Sequence, residues 1–226
     1  VVLICATPAS VTGAPDPVAQ LERSWQPIKQ RVPHLAARAL FAYAYDCAAA
    51  NRFPDRAEEA IVLAASMQDR RPDSPTYGNF RWHWGDEGVE DLNAVQFCMQ
   101  RATLLWRLHR DRLTPKARAE LERTLRLALE GVRRHAVREG YTNIYLMKCA
   151  NLLALADCLN DPGPAAEGAT ALRAWRDYTR ANGITEYLSP TYLGIDLDSL
   201  GLIARFARNP ESRAIAESGI RLIWAD

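Results

Sequence analysis

Three stretches of the chain carry side chains whose types could act together. "YGNFRWHWGDEGVEDLN" (77–93) holds Trp82, His83 and Trp84, then Asp86, Glu87, Glu90, Asp91 and Asn93. "YTNIYL" (141–146) holds Asn143 and Tyr145, and "NGITEYLSPTYLGIDL" (182–197) holds Glu186, Tyr187 and Tyr192. Aromatic rings offer flat apolar faces to C–H groups, and neighbouring acids and amides offer fixed partners for hydroxyls. Sugars present both kinds of surface. Two carboxyls across a cleft can protonate a leaving oxygen and activate water, which places Glu186 opposite Asp86 or Glu87. A Tyr or His base with an Asn partner can instead remove the proton beside a uronate carboxylate, the part open to Tyr187, Tyr192, His83 and Asn143. The candidates for catalysis are Glu186, Asp86, Glu87, Tyr187, Tyr192 and His83. Those for substrate binding are Trp82, Trp84, Asn143, Tyr145 and Asn93.

Plainer roles compete at each position. One Trp can anchor a loop on the core, Asp91 can cap the helix after it, and Thr142 or Asn143 can cap the next. Asp196 reads as the cap of a helix over 196–209. Local structure leaves Glu186, Tyr187 and Tyr192 unexplained, because a plain loop has no need of two tyrosines beside a carboxylate.

The elements that must hold these residues read as helices throughout, with almost no strand signal. Apolar helical patterns cover 34–51, 54–71, 91–112, 114–139, 143–160, 165–182, 196–209 and 210–226. Pro54, Pro115 and Pro210 stand at first-turn positions, with Thr114 and Asn209 placed as caps. Leu121, Leu125, Leu129 and Val132 make one stripe on an otherwise charged helix, whereas 143–160 is apolar nearly all round and is expected to be the most buried. Short connections at 112–114, 160–166 and 209–210 alternate with the chemically rich ones at 72–90, 140–142 and 183–195. The helices therefore pair as 34–71, 91–139, 143–182 and 196–226, a spacing of about 40 to 50 residues that suits helical-hairpin arrays. In such a stack every connection between pairs returns to the same end. The more apolar member of each pair suits an inner layer and its amphipathic partner an outer one. Two such layers make an α/α toroid when closed and a solenoid when open.

On the pairing pattern and on "YGNFRWHWGDEGVEDLN", "YTNIYL" and "TEYLSPTYLGIDL", residues 34–226 resemble the α/α-toroid carbohydrate-active enzymes, both glycoside hydrolases and polysaccharide lyases. The resemblance implies an all-α, (α/α)n toroid or partial toroid with a substrate cleft at one mouth. It implies an oligo- or polysaccharide substrate, cleaved by hydrolysis through paired carboxylates or by elimination. The abundance of loop acids favours hydrolysis. A helical-repeat protein that binds without turnover is the alternative from another class.

Composition narrows the rest. A net charge of +1 with no basic stripe argues against nucleic acid as partner. The start, "VVLICATPASVTGAPDP", runs from apolar to small residues, so 1–16 reads as a signal-peptide remnant or disordered leader before a helical domain over 17–226. That reading implies an exported protein, periplasmic or extracellular. The helical pattern still running at "LIWAD" implies a domain truncated at its C-terminus. No later apolar run approaches the ~20 residues of a membrane span. Four cysteines, Cys47, Cys98, Cys149 and Cys158, fall in apolar helical patterns and read as small core residues. The nine positions between Cys149 and Cys158 span roughly 13 Å on one helix, too far for a disulfide. The four His show no metal-ligand spacing, so neither metal nor cofactor is expected.

Overall fold

The computed structural model describes residues 16–185 and 189–225. The expectations for the leader, for Glu186 and for Tyr187 lie outside the described residues. The fold is all-α. Its helices are α1 (Pro17–Gln30), α2 (Ala37–Ala50), α3 (Pro54–Ser66), α4 (Ala94–His109), α5 (Pro115–Arg134), α6 (Thr142–Leu159), α7 (Pro162–Asn182), α8 (Pro190–Phe206) and α9 (Pro210–Ala225). Among the described residues the only β pairing is two isolated bridges, Ala36 with His83 and Gln68 with Phe80.

Local chemistry sets most helix ends. Six helices open on proline, whose fixed φ suits a first turn that needs no amide donor. Side-chain caps complete several of these turns: Asp16 accepts from the Val18 amide at 3.0 Å, Thr114 from Ala117 at 3.1 Å, and Asp161 from Gly163 at 2.9 Å. Asn51 and Asn160 end α2 and α6 in the left-handed region, which asparagine tolerates better than most residues.

The inner helices α2, α4, α6 and α8 form a row, each packed on the next, and α3, α5, α7 and α9 back them as the return arms of four antiparallel pairs. Two apolar cores result, one spanning α1 to α5 and one spanning α6 to α9. Helix α6 serves both, with Leu152 and Leu155 in the first and Leu146 and Cys149 in the second. The row curves. Helix α8 passes α6 to reach α4, where Gln100 Nε2 lies 3.3 Å from Ser199 Oγ and Arg107 donates to the Phe206 carbonyl at 3.1 Å. At the end away from the long loops, Asp157 joins the row by pairing with Arg107 at 2.7 Å and Arg208 at 2.6 Å. No described helix is long and apolar enough to cross a membrane.

Two readings of the sequence are corrected. Helix α8 starts at Pro190, not at Asp196. Ser189 is extended (ψ 116°), and the proline after it begins the first turn. Asp196 therefore lies inside the helix, fully buried, and not at its N-cap, which is Ser189. Tyr192 stands on that first turn rather than on a loop, and is exposed. Helix α1 was not foreseen. The stretch fell within the expected helical domain, but its apolar face is only Leu21, Trp25 and Ile28, too sparse to mark a helix, and Pro27 falls inside it.

Candidate functional site

The four connections entering the inner helices meet at one end of the molecule. The loop before α2 is tied to the 67–93 loop by Ala37 N to Trp82 O (3.0 Å), Trp84 N to Leu35 O (2.9 Å) and Gly85 N to Pro33 O (2.8 Å). That loop reaches the next at Asn93, whose Nδ2 donates to the Tyr141 hydroxyl at 3.3 Å. Thr185 then donates to the Gly140 carbonyl at 2.8 Å and lies 3.3 Å from Thr142 Oγ1. A continuous rim follows from these contacts.

The long loop is fixed by the residues in front of its aromatic run. Gly78 adopts φ 83°, and a Cβ there would stand 2.1 Å from the Leu127 carbonyl oxygen of α5. Gly131 of α5 is equally crowded, with a Cβ 2.7 Å from Gly78. Two backbones meet where only hydrogen fits. Asn79 is buried and holds both ends of the loop. Its Nδ2 donates to the Leu92 carbonyl at 2.9 Å, and its Oδ1 accepts from the amides of Phe80 (2.7 Å) and Val95 (3.0 Å). Phe80 plugs the core against Phe41.

The candidates divide into two groups on this rim. In the first, Trp82 packs edge-on against Phe97 at 5.3 Å under the Arg38 guanidinium, and Trp84 lies beneath Arg31 and Arg81. Asp86 accepts from the His83 amide at 2.7 Å, and its oxygen stands 3.7 Å from His83 Nδ1. Arg81 donates to the Trp84 and Asp86 carbonyls. Asp86 thus closes a turn, and the two indoles are partly committed to packing. Glu87 is exposed and turns toward a small groove of about 110 Å³ beside Asp69, Arg71 and Arg81 at the end of α3.

The second group gathers where α4 and α6 begin. Asn93 starts α4 and holds the Tyr141 hydroxyl, leaving the Tyr141 ring exposed. Asn143 is buried, and its Oδ1 accepts from the Ile144 amide at 2.6 Å. Tyr145 is buried, with its hydroxyl 3.5 Å from Glu139 Oε1. Burial, with Cys149 and Glu139 adding to it, pushes the Tyr145 phenol well above its ordinary value. Beside it, residues 136–141 and Tyr178 border an open depression of about 720 Å³.

Under the rim the inner helices share buried polar groups. Asn151 of α6 donates to Gln96 of α4 through both the backbone carbonyl (3.0 Å) and Oε1 (2.9 Å), and Gln96 Nε2 lies 3.4 Å from His135 Nδ1. Lys148 donates to the His135 carbonyl at 2.7 Å. Burial lowers the Lys148 ammonium, and burial followed by Lys148 lowers the His135 imidazole. Asp196 and Ser199, three residues apart, put two fully buried polar side chains on α8.

Glu139 is a member of this region that sequence reasoning passed over, although the stretch beginning at Tyr141 was read as a site. Its signal was weak: it stands in the short connection between α5 and α6, where polar residues are ordinary. Gln96 and Gln100 had a stronger one, as amides at helical spacing on an otherwise largely apolar helix. Among the described residues no group of three or more His, Cys, Asp or Glu side chains could hold a metal ion. Residues 37–225 match the family model described as "Domain of unknown function (DUF8769)", most of the chain, and the protein belongs to that family. No curated protein and no solved structure matches it.

Proposed function

We propose that this DUF8769 protein cleaves glycans at the rim where its inter-pair loops meet, by hydrolysis. The observation that carries the reading is the rim itself, which joins four separate connections through backbone and side-chain hydrogen bonds. Tyr141 supports it as a stacking platform, because Asn93 fixes the hydroxyl while the ring stays open to solvent. Tyr192 offers a second exposed ring on the first turn of α8. Hydrolysis is favoured over elimination by the acids of the inter-pair loops, and the burial of Tyr145 keeps that phenol from serving as an eliminating base. The acids of the reading are Glu139, half-buried beside Tyr145, and Glu186. Asp86 is left out of the pair because it is bonded into its own turn.

The test is a turnover screen of the purified chain against neutral and acidic glycans, reading both new reducing ends and unsaturated products. Glu186→Gln and Glu139→Gln keep shape and remove the acid. Each should lower turnover by about 100-fold or more, the usual weight of a general acid or base, with an unchanged melting temperature. A wild-type chain that neither binds nor cuts any glycan defeats the reading, as does full activity in both variants.

A further inference from the structure

The concave side of the inner row carries a groove of about 480 Å³ between α2, α4 and α8, within the size range of small-molecule sites. We propose that this groove binds an anionic oligosaccharide, with Arg101 and Arg205 taking its carboxylate or sulfate groups. The proposal rests on the glycan reading above and gives its substrate a binding groove along α4 and α8, beyond the rim itself.

The two guanidiniums stand on different helices, Arg101 on α4 and Arg205 on α8, and both are exposed to the groove. Among the described residues neither has a carboxylate within ion-pair distance, whereas Arg107, Arg133 and Arg173 each do. Arg205 is laid along the groove wall by stacking on Phe206, with its guanidinium 5.2 Å from the ring centre. Asp46 attracts Arg101 only at longer range. Asp198 and Gln100 also face the groove and can bind hydroxyls, which a simple fatty anion lacks. Tyr45, Leu104 and Leu202 supply apolar surface for the C–H faces of the rings.

Gly201 of α8 lies in the wall. A Cβ there would meet nothing within 4 Å, and its backbone is ordinary helix. Neither packing nor backbone geometry asks for glycine, which weakens a helix relative to alanine. Its absent side chain keeps the groove open and lets a ligand approach the backbone.

Calorimetric titration of the whole chain with matched neutral, uronate-bearing and sulfated tetrasaccharides tests this. An acidic tetrasaccharide should bind at least about tenfold tighter than the neutral one, as charge-assisted hydrogen bonds to arginine require. The uronate and sulfate arms report which anion is read. Arg101→Gln with Arg205→Gln should erase that preference, so that the variant binds acidic and neutral tetrasaccharides alike. Gly201→Leu puts bulk into the groove at a position where the first side-chain carbon meets nothing within 4 Å, and should abolish acidic binding with the melting temperature retained. Equal affinity for neutral and acidic ligands, or wild-type acidic binding by Gly201→Leu, overturns the groove assignment while leaving glycan cleavage standing. Absence of binding and turnover with every glycan overturns both.

Discussion

His135 ends α5 with its ring buried against Gln96 and Lys148 of α6 beneath its carbonyl. Burial is the main cause of its lowered pKa; Lys148 adds to it, and Asp91 opposes. His109, edge-on to Tyr45, is lowered in the same way by burial and Arg112. The unfolded chain takes up these protons near the ordinary value of 6.5, whereas the fold resists them until lower pH. Stability should therefore be complete above about pH 6.5 and decline as the pH falls through that value. The carboxylates of Asp69 and Glu58 are held low by hydrogen bonds from Arg71 and Thr114, so their contribution is lost only in more acid solution. Melting temperatures from pH 8 to pH 5 check the histidine part, and His135→Gln should flatten the slope. A wild-type melting temperature that stays level across this range contradicts it. The four cysteines among the described residues show residue-scale chemistry the sequence did disclose. Cys47, Cys98 and Cys149 are buried and Cys158 nearly so, its thiol pushed up to about 12 by burial, and all are free.

Among the elements, the 67–93 connection has the most to hold in place, since it carries Trp82, His83 and Trp84 without regular structure of its own. Gly78–Asn79–Phe80 docks it. Gly78→Ala drives a methyl into the α5 backbone at a positive φ, and should cost about 3 kcal/mol or more. Asn79→Ala strips three hydrogen bonds at a buried position and should cost about 2–3 kcal/mol. Chemical denaturation checks both, and midpoints equal to the parent's would show that the loop does not depend on this anchor. Sequence reading took this run as a ligand surface because tryptophans beside acids look alike in either role. The anchor of the run was not legible because it is nonlocal: the close approach of α5 at Gly131, and the reach of Asn79 to Leu92 and Val95. The helix pairs were legible because their apolar periodicity and their Pro and Thr signals are local. The start of α8 was missed because Ser-Pro can end one element as readily as begin another.

At the scale of the whole molecule, the order of pairs was legible from the alternation of plain and chemically rich connections, and so was the burial of α6. The curvature that brings α8 to α4 was not. It depends on contacts such as Gln100 with Ser199, 99 residues apart, and on the Asp157 cluster, none of which leaves a local pattern. The same packing ranks the helices by how they open. Helix α6 touches α4, α5, α7 and α8 and belongs to both cores, so exposing its amides means separating those cores. Helix α1 packs on α2 alone among the major contacts, and α9 shows Leu222 and Trp224 to solvent. In hydrogen exchange, the central amides of α6, from Met147 to Leu155, should therefore be the slowest and exchange only with global unfolding. Those of α1 should exchange through local opening well before it. Added denaturant separates the two routes, because exchange by global unfolding speeds up steeply with denaturant and local opening does not. If α6 exchanged as fast as α1, with the same shallow dependence, the two cores would not be joined through α6.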